Sequence, residues 1–174
     1  MMDAPTNILE TERLVLRRFT FEDAPFILEL LNDPSFLRFI GDRGVRNLED
    51  AKGYILNGPM ASYEKFGFGL WLVKLKATGE SLGMCGLLKR DTLPDADIGF
   101  AFLPRFWGRE YAVEAAAAVR DYGRDVCGLK RLVAVTDRVN KGSIRVLEKT
   151  GLRFERMIQF HEGEAESRLF GLDF

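Results

Sequence analysis

Arg105, Gly108 and Arg109 stand in a five-residue stretch, RFWGR, between a segment that reads as a strand and one that reads as a helix. Residues 97–103 (DIGFAFL) are mostly apolar and carry Phe100 and Phe102, the composition of a buried strand, and Pro104 ends them. From Glu110 the pattern changes. Tyr111, Ala115, Val119, Tyr122 and Val126 recur at steps of three and four, a helical spacing. A helix that starts here has N–H groups with no intrahelical acceptor, and the positive end of its macrodipole faces the loop. Phosphate is a natural ligand for such a place, and Arg105 and Arg109 would add full positive charge beside it. The plain alternative is a strand, loop and helix that only connect.

Acid–base chemistry has few candidates. Asp97 opens the same strand and is either a general base or a strand-end carboxylate facing solvent. Glu12 is either a base or an anchor for the first strand. His161 is the only histidine, a residue type that titrates near neutral pH, but it falls beside a turn and reads as a surface residue. Asn140 and Ser143 lie where a short helix begins, so each is a ligand-facing group or a helix cap. Cys85 and Cys127, the two cysteines, lie far apart without metal-ligand spacing and read as reduced, buried thiols. An acyl-carrier role for Cys85 is the alternative.

The elements that must position these groups can be read along the chain. Its 174 residues suffice for one domain, 1–174, with a real core, and 47% hydrophobic with 29% charged residues is ordinary for a globular protein. A net charge of −1 argues against non-specific nucleic-acid binding, which wants a basic excess. The first residues show no cationic-then-apolar leader, and no apolar run would span a bilayer, so a cytoplasmic location with no membrane partner is expected. Residues 1–11 read as a loose lead-in and 13–19 as a strand with Leu14 and Leu16 on one face. Thr20 and Asp23 make a capping-box-like start for a helix to about Leu31, ended by Asn32, Asp33 and Pro34. Residues 35–40 are short and apolar. Asn47 caps a second helix to about Leu56, which Asn57-Gly58-Pro59 interrupts before another helical piece to about Lys65. Residues 68–76 and 81–89 form a hairpin in which Gly83 and Gly86 mark bulges or close contacts. The helix after residue 110 carries a run of small side chains, 115–118, that lets it lie close to a sheet, and Gly128 stops it. Residues 131–136 are a buried strand, which makes the strand–helix–strand unit parallel with a right-handed crossover. A short helix over 140–149 and a hairpin of 152–161 with 165–174 follow.

The run Arg105-Phe106-Trp107-Gly108-Arg109-Glu110-Tyr111-Ala112-Val113-Glu114-Ala115 resembles the acyl-CoA pyrophosphate loop of the GCN5-related N-acetyltransferases (GNATs). It is most similar to the RimJ/RimL branch, whose loop reads roughly proline, variable residues, Trp-Gly-x-Gly-Tyr-Ala-x-Glu-Ala. Asn140, Ser143, Arg145-Val146-Leu147-Glu148-Lys149 and Gly151-Leu152 resemble that branch's Asn-x-x-Ser-x-Arg-Val-Leu-Glu-Lys-x-Gly-Phe. Glu12-Arg13-Leu14-Val15-Leu16-Arg17 resembles its first strand. Two positions depart. Glu110 stands where the family has Gly or Ala, and its carboxylate repels a diphosphate unless it points away. Leu147 stands where many relatives carry a tyrosine that protonates the leaving thiolate.

The resemblance implies an α/β (α+β) GNAT fold, a mixed central sheet of about seven strands with a splayed parallel pair, flanked by about four helices. It implies acetyl-CoA as cosubstrate, no metal, and direct attack by a primary amine in a ternary complex. The pantetheine arm would lie between strands 97–103 and 131–136, with a backbone N–H near Phe102 or Leu103 at the thioester oxygen. Arg105, Trp107, Gly108, Arg109, Glu110 and Tyr111 would surround the diphosphate, and Asn140 would hold the pantetheine. Asp97 would be the base and Ser143 the acid. The acceptor, a protein N-terminal amine or a small-molecule amine, would be selected by residues 33–66, where Phe36, Phe39 and Tyr63 shape the pocket or simply pack. A monomer or homodimer is expected. The competing reading is a CoA-binding module with little catalysis. A mononucleotide-binding protein is disfavoured, since neither G-x-x-x-x-G-K-[ST] nor G-x-G-x-x-G occurs at the loop.

Overall fold

The computed structural model describes residues 6–174. Alternation and turn chemistry set up most of its strands. Strands β1 (Asn7–Glu10), β2 (Leu14–Arg17), β3 (Leu70–Leu75), β4 (Ser81–Leu88) and β5 (Asp97–Phe102) are followed by β6 (Arg131–Asp137), β7 (Arg153–Ile158) and β8 (Ser167–Asp173). They join in one sheet of order β1-β2-β3-β4-β5-β6-β8-β7. Every neighbouring pair is antiparallel except β5 and β6, as a crossover through a helix requires.

That crossover helix is α5 (Tyr111–Asp125), which lies over β4 and β5. Ala115, Ala116 and Val119 on its inner face are fully buried, and Trp71 of β3 meets Tyr122 edge-on at 5.2 Å between ring centroids. The periodicity holds to Tyr122 and then fails. Val126 is 65% exposed, because Gly123 faces inward instead and the helix ends at Asp125. Helix α6 (Lys141–Lys149) is tied to α5 by Arg120 Nη1, which donates to the Thr150 carbonyl at 2.7 Å.

Four further helices lie between β2 and β3. The expected capping arrangement holds in one direction: the Thr20 N–H donates to Asp23 Oδ2 at 2.8 Å, and Arg17 grips the same carboxylate with two nitrogens at 2.7 and 2.8 Å. Helix α1 (Ala24–Asn32) follows. Asp33 and Pro34 end it as expected, but they also start α2 (Pro34–Phe39), which the sequence left without a type. Asp33 accepts the Ser35 N–H at 2.9 Å, and proline needs no partner for its nitrogen at a first helical position. Helix α3 (Leu48–Ile55), capped by Asn47, continues through a π-helical turn, Leu56–Met60, into α4 (Ala61–Phe66). Asn57-Gly58-Pro59 therefore widens the helix instead of breaking it, since a π turn absorbs the hydrogen bond that Pro59 cannot make.

The mixed sheet with one parallel pair is as expected; among the described residues it has eight strands, where about seven were expected, and six α-helices flank it, where about four were expected. The extra strand is β1, which pairs with β2 inside what reads as a lead-in; residues 1–5 of that lead-in lie outside the described residues. Among the described residues no helix is long and apolar enough to cross a membrane.

Gly83 and Gly86 are close-contact points. A Cβ on Gly86 would lie 2.0 Å from the Gly69 carbonyl oxygen and 2.7 Å from Leu70 Cα, both backbone atoms that cannot swing aside. Gly86→Ala should destabilise by about 1–3 kcal/mol and lower Tm by roughly 2–10 °C in calorimetry; an unchanged Tm would contradict this packing.

Candidate active site

Strand β5 is bonded along only one edge for most of its length. It pairs with β4 from Asp97 to Phe102, but with β6 at the single register Asp97↔Val133. The Val133 N–H donates to the Ala96 carbonyl at 3.1 Å, and the Leu103 N–H to the Leu82 carbonyl at 3.0 Å. Backbone groups alternate in direction along a strand. Even-numbered residues of β5 therefore face β6 and odd-numbered ones face β4. The parallel pair also takes the Ile98 N–H, on the Val133 carbonyl; beyond it, Phe100 and Phe102 turn their N–H and C=O groups into the gap where β6 has diverged. The Phe102 carbonyl is taken by Trp107 Nε1 at 2.9 Å, which leaves its N–H facing the gap.

The loop after β5 ends at the N-terminus of α5. Pro104–Phe106 form a 3-10 turn, Gly108 takes φ 81°, and Glu110 sits at the N-cap with φ 64°. A positive φ at a glutamate is the one such non-glycine case among the described residues, and it is strained. Glu110 makes no side-chain cap, and the first intrahelical bond runs from the Glu114 N–H to the Glu110 carbonyl at 3.1 Å. The N–H groups of Tyr111, Ala112 and Val113 therefore have no helical acceptor and point at the loop, where an anion would sit.

Two ionic ties hold this loop. Arg13 of the first-strand motif reaches Glu114 with Nε at 2.8 Å and with its backbone N–H at 3.0 Å, and Thr11 Oγ1 donates to the same carboxylate. Burial pushes the Glu114 carboxyl up, but these bonds outweigh it and hold it below its ordinary value. Arg13 Nη1 also donates to the Arg109 carbonyl at 3.0 Å, and its guanidinium lies 4.4 Å from the Tyr111 ring centre. The second tie involves Glu110, whose carboxylate turns to α6, 2.9 Å from Lys149 Nζ and 3.7 Å from Arg145. The bond from Lys149 lowers its pKa, so it stays ionised but already paired.

Two cavities meet beside the free edge of β5. One, of about 450 Å³, runs past Ala101 and Phe102 to Trp107, Gly108 and the start of α5. The other, of about 480 Å³, lies between β5, β6 and the loop that joins β7 to β8, with Asp137, His161 and Glu164 on its wall. Phe36, Phe39, Ile40, Phe100, Asn140 and Ser143 line both. Asn140 caps α6 through Oδ1, which accepts the Ser143 N–H at 3.2 Å. That leaves its Nδ2 donors and the Ser143 hydroxyl at the junction. The first cavity therefore offers free strand-edge groups at one end and open helix amides at the other.

Several expected residues lie elsewhere. Asp97 is 1% exposed and lines neither cavity; both its oxygens accept from Arg90 Nε at 3.2 Å. Leu103 has given its N–H to Leu82, so only Phe102 of that pair can offer one. Arg105 is bound to Glu29 of α1 at 2.7 Å, and neither it nor the Arg109 side chain lines the cavity. Tyr63 is a core tie, accepting the Phe19 N–H at 3.2 Å and donating to the Leu70 carbonyl. Cys85 is fully buried and its thiol pushed up by that burial, which excludes acyl carriage. Phe36 and Phe39 do line the acceptor side. Arg90, Tyr54, Phe100 and Phe160 on that side carried no motif, since nothing in sequence distinguishes a cavity aromatic from a core one.

A family model described as an acetyltransferase (GNAT) domain matches residues 13–153, and the chain belongs to that family. It is 33% identical over 161 residues to the uncharacterized protein YkkB of Bacillus subtilis, covering 91% of each. It is 31% identical over 153 residues to YoaA of the same organism, named an uncharacterized N-acetyltransferase, covering 87% of this chain and 86% of that one. Among solved structures, an acetyltransferase from Agrobacterium tumefaciens superposes with a TM-score of 0.81 at 26% identity, covering 100% of this chain and 96% of that one.

Burial pushes Asp97 up to about 6, only partly offset by the charge and hydrogen bond of Arg90. An unfolded aspartate titrates near 4. The folded carboxyl therefore binds its proton more tightly, and its contribution to stability is lost as pH rises through about 6, by roughly 3 kcal/mol in all. Asp97→Asn should gain stability relative to wild type between pH 4 and 7 in urea melts; parallel curves would contradict the assignment. Glu110→Gly should free Arg145 and Lys149 and remove a negative charge from the loop, tightening CoA binding by about two- to fivefold in calorimetry. Equal affinity would show that the carboxylate does not oppose the ligand.

Proposed function

We propose that this chain transfers the acetyl group of acetyl-CoA to a primary amine, either a protein N-terminal amine or a small-molecule amine. The observation that supports it is the junction of the two cavities at Phe100, Asn140 and Ser143, beside a strand edge whose backbone donors have no partner strand. The helix amides of residues 111–113 and the loop at Gly108 hold the diphosphate. Asn140 Nδ2 and the β5 edge orient the pantetheine arm. The Phe100 or Phe102 N–H meets the thioester oxygen and stabilises the charge that develops there.

The amine, entering from the second cavity, forms the new C–N bond as the C–S bond breaks. Its proton passes to a group on that cavity's wall, where Asp137, His161 and Glu164 are the candidates now that Asp97 is engaged with Arg90. Ser143 returns a proton to the leaving thiolate, in place of the tyrosine that Leu147 replaces. Holding both substrates in one orientation supplies most of the acceleration.

The test is turnover of acetyl-CoA with a panel of amines that includes a peptide with a free N-terminus, read by thiol release and product mass. Wild type should release thiol in proportion to acetylated amine. Ser143→Ala should lose about 10²-fold in kcat with little change in CoA affinity. Tight CoA binding without turnover on any amine would instead favour a CoA-binding module.

A further inference from the structure

Behind the acceptor cavity lies a second chamber of about 420 Å³, bounded by the π-helical turn at Asn57-Gly58-Pro59. It shares Arg43, Tyr54, Leu70, Leu88 and Arg90 with the acceptor cavity and so continues it. Its wall carries four cations, Arg43, Lys65, Lys89 and Arg90, and no carboxylate among the described residues. In a chain with 25 basic and 26 acidic residues, that segregation concentrates positive potential at one place.

We infer that the acceptor amine carries a distal oxyanion, a phosphate or a carboxylate, and that Arg43 and Arg90 read it in this chamber. The inference rests on the acetyl-transfer reading above. Arg90 is the anchor. Asp97, buried at the start of β5, takes its Nε from behind with both oxygens, and the Phe160 ring lies 5.8 Å from its guanidinium carbon. Neither Nη of Arg90 has a partner among the described residues, nor does any side-chain nitrogen of Arg43. Lys89 serves a different purpose: its Nζ donates to the Arg90 and Leu93 carbonyls at 3.1 and 2.7 Å and fixes the loop that carries Arg90. A buried carboxylate that orients a guanidinium from behind, with its fork left free, is the arrangement suited to bidentate recognition of an oxyanion.

The route between the two ends is aromatic. Phe36, Phe39, Phe100 and Phe160 line the acceptor cavity, with Tyr54 where it opens into the chamber. Asp97 and Phe100 stand three residues apart on one strand, about 10 Å. The amine at the junction and the oxyanion at Arg90 therefore belong at opposite ends of an apolar body, not on one α-carbon.

Three matched amines test this: tyramine, O-phosphotyramine, and the analogue with a propanoate in place of the phosphate. At low salt, wild type should favour at least one anionic amine over tyramine by about tenfold or more in kcat/KM, through KM. The phosphate and propanoate arms tell which oxyanion is read. In Arg43→Gln, an exposed position that should fold normally, and in Arg90→Gln, the ratio should fall towards one. Equal kcat/KM for all three in wild type, or a ratio that survives both substitutions, would overturn the inference while leaving acetyl transfer intact. Calorimetry with the CoA-loaded protein gives an independent readout. Binding of O-phosphotyramine that needs Arg43, without turnover of any amine, would uphold the chamber and reject the transfer reaction.

Discussion

The site depends on one missing strand pairing. β5 is held by β4 along its whole length, yet β6 meets it only at Asp97 and then leaves to pair fully with β8. Buried backbone N–H and C=O groups without partners are costly, so a strand edge left open inside a protein calls for something to bond it. Here the protein supplies one partner, the Trp107 indole on the Phe102 carbonyl, and leaves the rest facing a cavity. An extended ligand arm with amide groups can complete that edge as a further strand would. In the proposed reaction, the same divergence opens the passage for the amine.

Charge around this opening is arranged by pairing. Three glutamates around the loop are paired: Glu114 by Arg13 and Thr11, Glu110 by Lys149 and Arg145, Glu29 by Arg105. The positive end of α5 is left unneutralised at the loop, and no carboxylate pairs with Arg109 among the described residues. The Arg13–Glu114 tie joins residues 101 positions apart, and Arg13 also holds the Arg109 carbonyl, so the residue just before β2 fixes the start of α5. Arg13 and Glu114 are thus positioning residues for the loop, and their place in two separate motifs has a common physical reason.

Much of this was legible in the sequence because it rests on local rules. The period-3.6 pattern after Glu110, with small residues at Ala115 and Ala116, and the Asn47 and Asn140 caps are set by neighbours within a few residues. β1 was not legible, because its four residues, NILE, are half exposed and acquire a strand's form only by pairing with β2. α2 was hidden by Pro34, which ends one helix and begins the next. The partners of Asp97 and Arg105 were not legible for one reason: sequence gives a residue's charge but not what it pairs with. Arg90 and Glu29, which claim them, lie 7 and 76 positions away. The chamber beside the π-helical turn was invisible because its walls come from helices, two strands and two loops that only the tertiary fold brings together.

Amide-resolved NMR of the protein titrated with CoA tests the central claim most directly. The account requires the largest shifts at the N–H groups of Phe100 and Phe102 on the open edge of β5 and of Gly108, Tyr111, Ala112 and Val113 at the start of α5. Shifts confined to other surfaces, or an unperturbed β5 edge in a protein saturated with CoA, would contradict it.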